Sequence, residues 1–243
     1  MAVFFSTLYW GFVGITSILF LPVSGIIWLF TRPFDKKLTL LHSWTSLWAS
    51  LYTWMNPVWH VKVEGRSHGR RGARYVIVSN HQSMVDILVL FRIFKHFKWV
   101  SKSENFKIPF VGWNMRLNRY VEIERGSVKG SGRMMADCRK RLEEGSSVMI
   151  FPEGTRSEDG ELRPFRRGAF ELALQTSSPV LPIVIEGSSR ALPKKGVALR
   201  GTHRIRVKML EPVETGAFKT ADELSDHVRS LIQTELTGMR APA

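Results

Sequence analysis

The 243-residue chain carries 35 Lys and Arg against 21 Asp and Glu, a formal net charge of +14 at pH 7, with 44% apolar residues and one cysteine. That length suits one α/β domain plus an appendage, and a lone Cys138 excludes an intrachain disulfide. Residues 1–60 hold three basic side chains and one acidic one, net +2 of the +14, and the basic residues elsewhere are scattered and form no nucleic-acid motif, so the charge suits an anionic membrane face or acidic substrates.

No charged residue occurs from Met1 to Thr31. A bilayer span needs about 20 apolar residues, so this stretch predicts a membrane helix. The lack of a basic n-region and the run of apolar residues past Pro22 and Gly25 disfavour a cleaved signal peptide. After Arg32, Asp35, Lys36 and Lys37 comes a second uncharged stretch, in which Leu40, Leu41, Trp44, Leu47, Trp48, Leu51, Trp54 and Met55 follow helical spacing. Thr39, Ser43, Ser46, Ser50 and Thr53 fall between them, which predicts a Trp-rich amphipathic helix at the membrane interface. The alternative is that the same apolar stripe packs onto the soluble domain. Two full spans would set Arg32, Lys36 and Lys37 across the membrane from a basic domain, against the positive-inside rule. One span plus an interfacial helix, or a hairpin dipping into one leaflet, is therefore expected, with anchoring helices over 1–57 and an α/β domain over 58–243.

Strands are predicted at 59–63, 75–79, 99–101, 120–124, 148–151, 180–185 and 204–209, and helices at 83–94, 127–144, 167–176 and 221–236. This alternation predicts an α/β fold, a mixed but largely parallel sheet of about seven strands covered by helices. Cys138 falls in the 127–144 helix among Met134, Met135, Arg139 and Leu142, as a packed thiol rather than a nucleophile. The stretch 187–201 reads as an irregular surface connection or a rim over a substrate entrance. His42, His60, His68, His96, His203 and His227 lack metal-ligand spacing, so no metal is expected.

Two runs carry chemistry. Asn80-His81-Gln82-Ser83-Met84-Val85-Asp86 follows the 75–79 strand. Histidine side chains titrate near neutrality, and a carboxylate can fix the tautomer of one acting as a base. An offset of five places two side chains about 140° apart on a helix, so His81 and Asp86 meet only if His81 lies at or before the helix start, with Ser79 and Asn80 as candidate caps. The second run, Phe151-Pro152-Glu153-Gly154-Thr155-Arg156-Ser157, ends another strand in a turn. Such a turn can present backbone N–H groups, a hydroxyl and a guanidinium to one anion, or be an ordinary Pro-Gly turn with a solvated arginine.

Over 58–210 the sequence resembles the glycerolipid acyltransferases, most closely the 1-acylglycerol-3-phosphate acyltransferases. The resemblance rests on four blocks in order: Asn80-His81 through Asp86, Tyr120-Val121-Glu122-Ile123-Glu124-Arg125, Phe151 through Ser157, and Val180-Leu181-Pro182-Ile183-Val184. Two further stretches match, Val100-Ser101-Lys102-Ser103-Glu104 with Ile108-Pro109, and Pro164-Phe165-Arg166-Arg167-Gly168-Ala169-Phe170. The second block departs from the usual pattern, with Asn118-Arg119-Tyr120-Val121-Glu122 where glycine and phenylalanine are common.

The resemblance implies acyl transfer from a thioester to the hydroxyl of a lysophospholipid, with His81 as general base and Asp86 as its orienter. It implies Lys102, Arg125 and Arg156 as phosphate ligands and Glu153, Gly154 and Thr155 as residues shaping that site, Glu153 bonding a glycerol hydroxyl or holding an arginine. No cofactor is expected; acyl-coenzyme A or acyl-carrier protein is the co-substrate, and the partners are a lysophospholipid and an anionic membrane, with no nucleic acid. The expected location is the inner membrane with the active site on the cytoplasmic side. Other acceptors (glycerol-3-phosphate, other lysolipids), a membrane thioesterase or lipase, and a non-catalytic scaffold are the alternatives; no Gly-x-Ser-x-Gly elbow occurs.

Overall fold

The computed structural model of the protein describes residues 2–70, 72–124, 126–192, 199 and 201–241. Two long helices come first, α1 (Ala2–Thr31) and α2 (Thr39–Trp54). The chain then alternates β1 (Trp59–Glu64), β2 (Val76–Ser79), α3 (Val85–Phe91), β3 (Phe97–Lys102), α4 (Val111–Leu117), β4 (Val121–Ile123), α5 (Val128–Glu143), β5 (Ser147–Ile150), α6 (Gly168–Gln175), β6 (Val180–Glu186), α7 (Ser188–Ala191), β7 (His203–Met209) and α8 (Ala221–Arg240). All seven predicted strands form, in the order β1-β7-β6-β2-β5-β3-β4. Only the β6–β7 pairing is antiparallel. Strands β2 to β6 therefore all end at the same sheet edge, whereas β1 starts there.

Strand character follows position. Central β2 is Val-Ile-Val-Ser, buried at every residue, as a strand covered on both faces requires. Near the border, β7 alternates, burying Ile205, Val207 and Met209 while Arg204 faces solvent. Two apolar clusters flank the sheet. Ile77, Met149, Leu181, Ile183 and Ile185 meet α1, α2 and α3 on one face. Val76, Val78, Val148, Val180 and Val184 meet α5, α6 and α8 on the other. Helix α8 is fixed by a capping box, the Thr220 hydroxyl accepting from Glu223 N at 3.2 Å while the Glu223 carboxylate accepts from Thr220 N at 3.3 Å.

The hairpin corrects the expected faces of α2. Leu40, Leu47, Trp54 and Met55 are exposed, but Leu41 and Trp48 are buried, and so are Thr45, Ser46, Ser50 and Thr53. The small polar residues form the inner face because their hydroxyls bond back into the helix, Thr45 to Leu41 O at 3.0 Å and Ser46 to His42 O at 2.9 Å. Thr45 Oγ1 in turn accepts from Asn118 Nδ2 at 3.0 Å and from Asn114 Nδ2 at 3.2 Å, tying α2 to α4. Helix α1 is bound through Tyr52, whose hydroxyl lies 3.0 Å from Thr16 Oγ1, 3.1 Å from Ser17 Oγ and 2.5 Å from Trp48 Nε1. Tyr9 stacks edge-on with Trp59 at the start of β1, while Lys98 at the start of β3 reaches the hairpin turn. The hairpin thus lies along the sheet from the edge where β2 ends to the opposite one.

Elsewhere the helix predicted over 83–94 is shorter, closing at Phe91 before Phe94 turns with φ +52°. Helix α4 and the 3-10 turn Ser103–Lys107 were not foreseen. The 187–201 segment is no plain surface loop: it begins with α7, and Ala191, Leu192 and Leu199 are buried, while 193–198 and 200 lie outside the described residues.

Lys98, only 2% exposed, donates from Nζ to Lys37 O and to Asn118 O, both at 2.8 Å. Burial, with Arg141 adding repulsion, brings its amine down to about 7, and a neutral amine has two hydrogens for those two carbonyls. Lys98→Met should cost about 2 kcal/mol or more in denaturant unfolding, because both carbonyls lose their donor.

Candidate active site

His81 sits in the turn between β2 and α3, and the turn closes on Asp86. One carboxylate oxygen, Oδ2, accepts from His81 Nδ1 at 2.9 Å, from Gln82 N at 2.6 Å and from Ser83 N at 2.8 Å. Asp86 is wholly buried in the first turn of α3, whereas the His81 side chain is 13% exposed. The predicted geometry holds: His81 precedes the helix, so an offset of five brings the two together. The predicted caps do not. Ser79 Oγ bonds Asn80 O, and the Asn80 amide exchanges two bonds of 2.8 Å with Ile185 N and O in β6. The first turn of α3 is served instead by Ser83 Oγ, which accepts from Val85 N at 3.2 Å.

Glu153 joins this turn to the next strand. Its Oε1 accepts the His81 backbone N–H at 2.8 Å and its Oε2 accepts Arg163 N at 3.2 Å. Ser157 N donates to His81 O at 2.8 Å, so the loop after β5 grips the histidine main chain at both polar groups. Glu153 therefore bonds protein backbone through both carboxylate oxygens. Burial pushes its carboxyl up to about 7 against the pull of the two N–H groups. Gly154 has φ +71°, and a Cβ there would lie 2.6 Å from Arg166 Nε, so the guanidinium rests on the glycine.

The other expected ligands among the described residues lie at the same edge. Lys102 ends β3, two strands from β2, or about 10 Å at ordinary strand spacing. Thr155 and Arg156 follow Gly154 in the turn, both partly buried. Arg125, two residues beyond β4, lies outside the described residues. Sequence reasoning missed Phe151, whose ring stacks on His81 at 3.9 Å between centroids and 10° between planes. Its place at the end of a strand next to β2 was the available signal. It also missed Asn80 as a cross-strand tie, Gln82, whose Nε2 donates to Gly160 O at 3.0 Å, and Arg163. Cys138 is buried in α5 with its thiol pushed up to about 12 by burial, and its Sγ contacts Met134 Sδ. Among the described residues no group of three His, Cys, Asp or Glu side chains suits a metal ion.

A histidine held through Nδ1 keeps Nε2 as an acceptor, which is the geometry of a general base next to a turn suited to anions. Residues 60–186 match the acyltransferase family. The chain belongs to that family. Among its relatives, the chloroplastic 1-acyl-sn-glycerol-3-phosphate acyltransferase of Arabidopsis thaliana is 34% identical over 201 residues, 82% of this chain and 54% of the relative. A 1-acyl-sn-glycerol-3-phosphate acyltransferase of Chlamydomonas reinhardtii is 35% identical over 209 residues, 84% of this chain and 62% of the relative. The chain thus spans little more than half the length of the curated relatives it matches. The crystal structure of the 1-acyl-sn-glycerophosphate (LPA) acyltransferase PlsC from Thermotoga maritima superposes with a TM-score of 0.81 at 23% identity, covering 100% of this chain and 99% of that one. The acyltransferase fold is therefore the fold of this chain, and the family match includes both the His81–Asp86 turn and the Glu153–Arg156 turn.

A carboxyl raised from 4.5 to about 7 favours the fold fully below pH 4.5 and loses that contribution as pH rises to about 7, because the unfolded chain ionises first. Glu153→Gln, which cannot ionise, should flatten the fall in melting temperature across that window. Its single amide oxygen can replace only one of the two acceptors, so turnover should also drop by about tenfold as the His81 turn loosens.

Proposed function

We propose that this acyltransferase moves a fatty acyl group from an acyl thioester to the sn-2 hydroxyl of 1-acylglycerol-3-phosphate, giving phosphatidic acid. The observation that carries the reading is the 2.9 Å His81–Asp86 pair set beside the Glu153–Arg156 turn at one sheet edge. His81 Nε2 takes the acceptor's hydroxyl proton, and the oxygen attacks the thioester carbonyl. The C–S bond then breaks and the departing thiolate takes the proton from the imidazolium. Asp86, with two backbone N–H groups already on the same oxygen, holds the imidazole in one orientation throughout. Arg156, Lys102 and Arg125 hold the acceptor's phosphate, and Glu153 and Gly154 set the turn from which Thr155 and Arg156 project.

Both substrates that carry acyl chains are lipids or lipid carriers, and α1 suits access from a membrane. It is the one helix among the described residues long and apolar enough to cross a bilayer, and Phe4, Leu8, Ile15, Leu19, Ile26 and Phe30 form an exposed stripe at helical spacing. Thirty residues make about 45 Å of helix. Because α1 is bound to α2 and the sheet through Tyr9 and the Tyr52 hydroxyl, an upright span would draw the α/β domain into hydrocarbon. A hairpin lying in one leaflet, with its apolar face in lipid and the His81 edge in the cytoplasm where acyl-coenzyme A and acyl-carrier protein reside, avoids that cost.

The test is thiol release from a long-chain acyl-coenzyme A by the purified full chain, with lysophosphatidate, with a phosphate-free lysolipid, and with no acceptor. Release should require lysophosphatidate and fall about 10²–10⁴-fold in His81→Ala. Arg156→Ala should raise the acceptor KM about tenfold or more, the loss of a charge-assisted contact of roughly 1.5–3 kcal/mol. Acceptor-independent release would identify a thioesterase instead, and full activity in His81→Ala would rule out the base assigned here.

A further inference from the structure

At the edge opposite His81, α1 and α4 diverge to leave a groove. Its apolar walls are Leu21, Gly25 and Trp28 from α1 and Trp113 and Leu117 from α4. Its mouth is cationic: Arg116 and Arg119 line it, and Arg119 also borders a second depression with Arg32 and Lys36 at the hairpin turn. Among the described residues these four cations form no ion pair. Arg32 lies over the Trp28 ring at 4.9 Å and Arg116 over the Phe106 ring at 5.8 Å, contacts that leave guanidinium edges open. Glu144 also lines the second depression, where its carboxylate pairs with Arg141 at 2.8 Å, and the Asp35 carboxylate accepts from Leu40 N at 2.8 Å.

Arg119 adopts φ +54°, a left-handed conformation that an L residue rarely takes, and in that turn it borders both depressions. A Cβ on Gly25 would meet nothing within 4 Å, so the groove floor is open at the glycine. Trp113 is half exposed where it lines the groove across from Leu21, Gly25 and Trp28.

We propose that this groove is a binding site for one membrane phospholipid with an anionic headgroup, its acyl chain between α1 and α4 and its phosphate on Arg116, Arg119 and the hairpin-turn cations Arg32 and Lys36. Two features select that occupant. An apolar trough ending in unpaired guanidinium groups matches a lipid chain ending in a phosphodiester, for which arginine offers paired N–H donors. On α1 the exposed Ile18 and Leu29 lie three residues before Leu21 and four after Gly25, so the trough adjoins the exposed side of the helix placed in lipid under the function proposed above, on which this inference rests. The site lies at the far end of the sheet from His81, where it would anchor the hairpin turn at headgroup level.

Native mass spectrometry of the full chain, released from mixed micelles with equal phosphatidylglycerol and phosphatidylcholine, tests this. One phosphatidylglycerol should be retained per chain in preference to phosphatidylcholine. The double variant Arg116→Gln/Arg119→Gln should bind it about tenfold or more weakly, from the worth of two basic residues near a lipid phosphate. Gly25→Leu should weaken it comparably with no change of charge, since leucine fills the floor and favours the helix. Removing two charges from the N-terminal half of α5, Lys129→Gln/Arg133→Gln, should change retention less than about twofold, because about 16 Å of helix or more separates them from Glu144 beside the site, and exposed charges beyond a Debye length are screened. Equal retention of the two lipids by the wild type, or a preference that survives in both groove variants, would overturn the site. Equal loss in the α5 control would do so too, as would lysophosphatidate retained in place of phosphatidylglycerol. These readouts count bound lipid rather than turnover, so loss of acyl transfer alone leaves the groove assignment intact.

Discussion

The acceptance of the His81 backbone N–H by the buried carboxylate of Glu153 joins two loops that parallel strands would otherwise leave independent. In a parallel sheet each strand ends in its own loop, and nothing in the ladder fixes one loop against the next. Burying a carboxylate is costly, which is why its proton is held up to about 7, and the two N–H groups it accepts offset that cost. From the other side Asn80 ties the end of β2 to Ile185 in β6. Asp86 then holds the ring nitrogen and Phe151 the ring plane. The imidazole is thereby fixed in position, tautomer and tilt by four different side chains drawn from two segments far apart in sequence, a preorganisation that a single loop does not provide.

The same edge collects the His81–Asp86 turn, Lys102 at the end of β3 and the Glu153–Arg156 turn, because β2, β5 and β3 are neighbours running in one direction. Residues separated by about seventy positions in the chain become adjacent through one strand pairing, that of β2 with β5. The opposite edge gathers the hairpin turn, Lys98 and the turn after α4, so the protein has two charged ends with an apolar flank between them. Since α1 and α2 share a core with the sheet, the position of the hairpin relative to the His81 edge is set by packing and not by a flexible tether.

Much of this was legible in the chain. Central strands appear as continuous apolar runs, and β7 as strict alternation, so all seven were identifiable. Helix α4 was not, because its buried residues are Gly112 and Asn114 while its apolar Val111 and Trp113 are exposed. The reversed face of α2 was illegible for a related reason: a hydroxyl that bonds its own helix backbone can be buried like an apolar group, and hydropathy does not record that bond. The backbone bonds of Glu153 were not legible, because a carboxylate beside a basic turn suggests a salt bridge or a substrate contact. Its partners are main-chain N–H groups, which no sequence pattern marks.

The sequence by itself determined the element order, the family, and the pairing of a histidine with a carboxylate five residues on, because these depend on local periodicity and short-range spacing. Tertiary structure alone decided which loop holds His81, which face of α2 is buried, and that Arg32, Lys36, Arg116 and Arg119 gather around two adjoining depressions. Those outcomes depend on strand order and on hydrogen bonds between segments 20 to 105 residues apart, such as Asn80 with Ile185 and Lys98 with Asn118. Distances of that kind are fixed only when the sheet assembles.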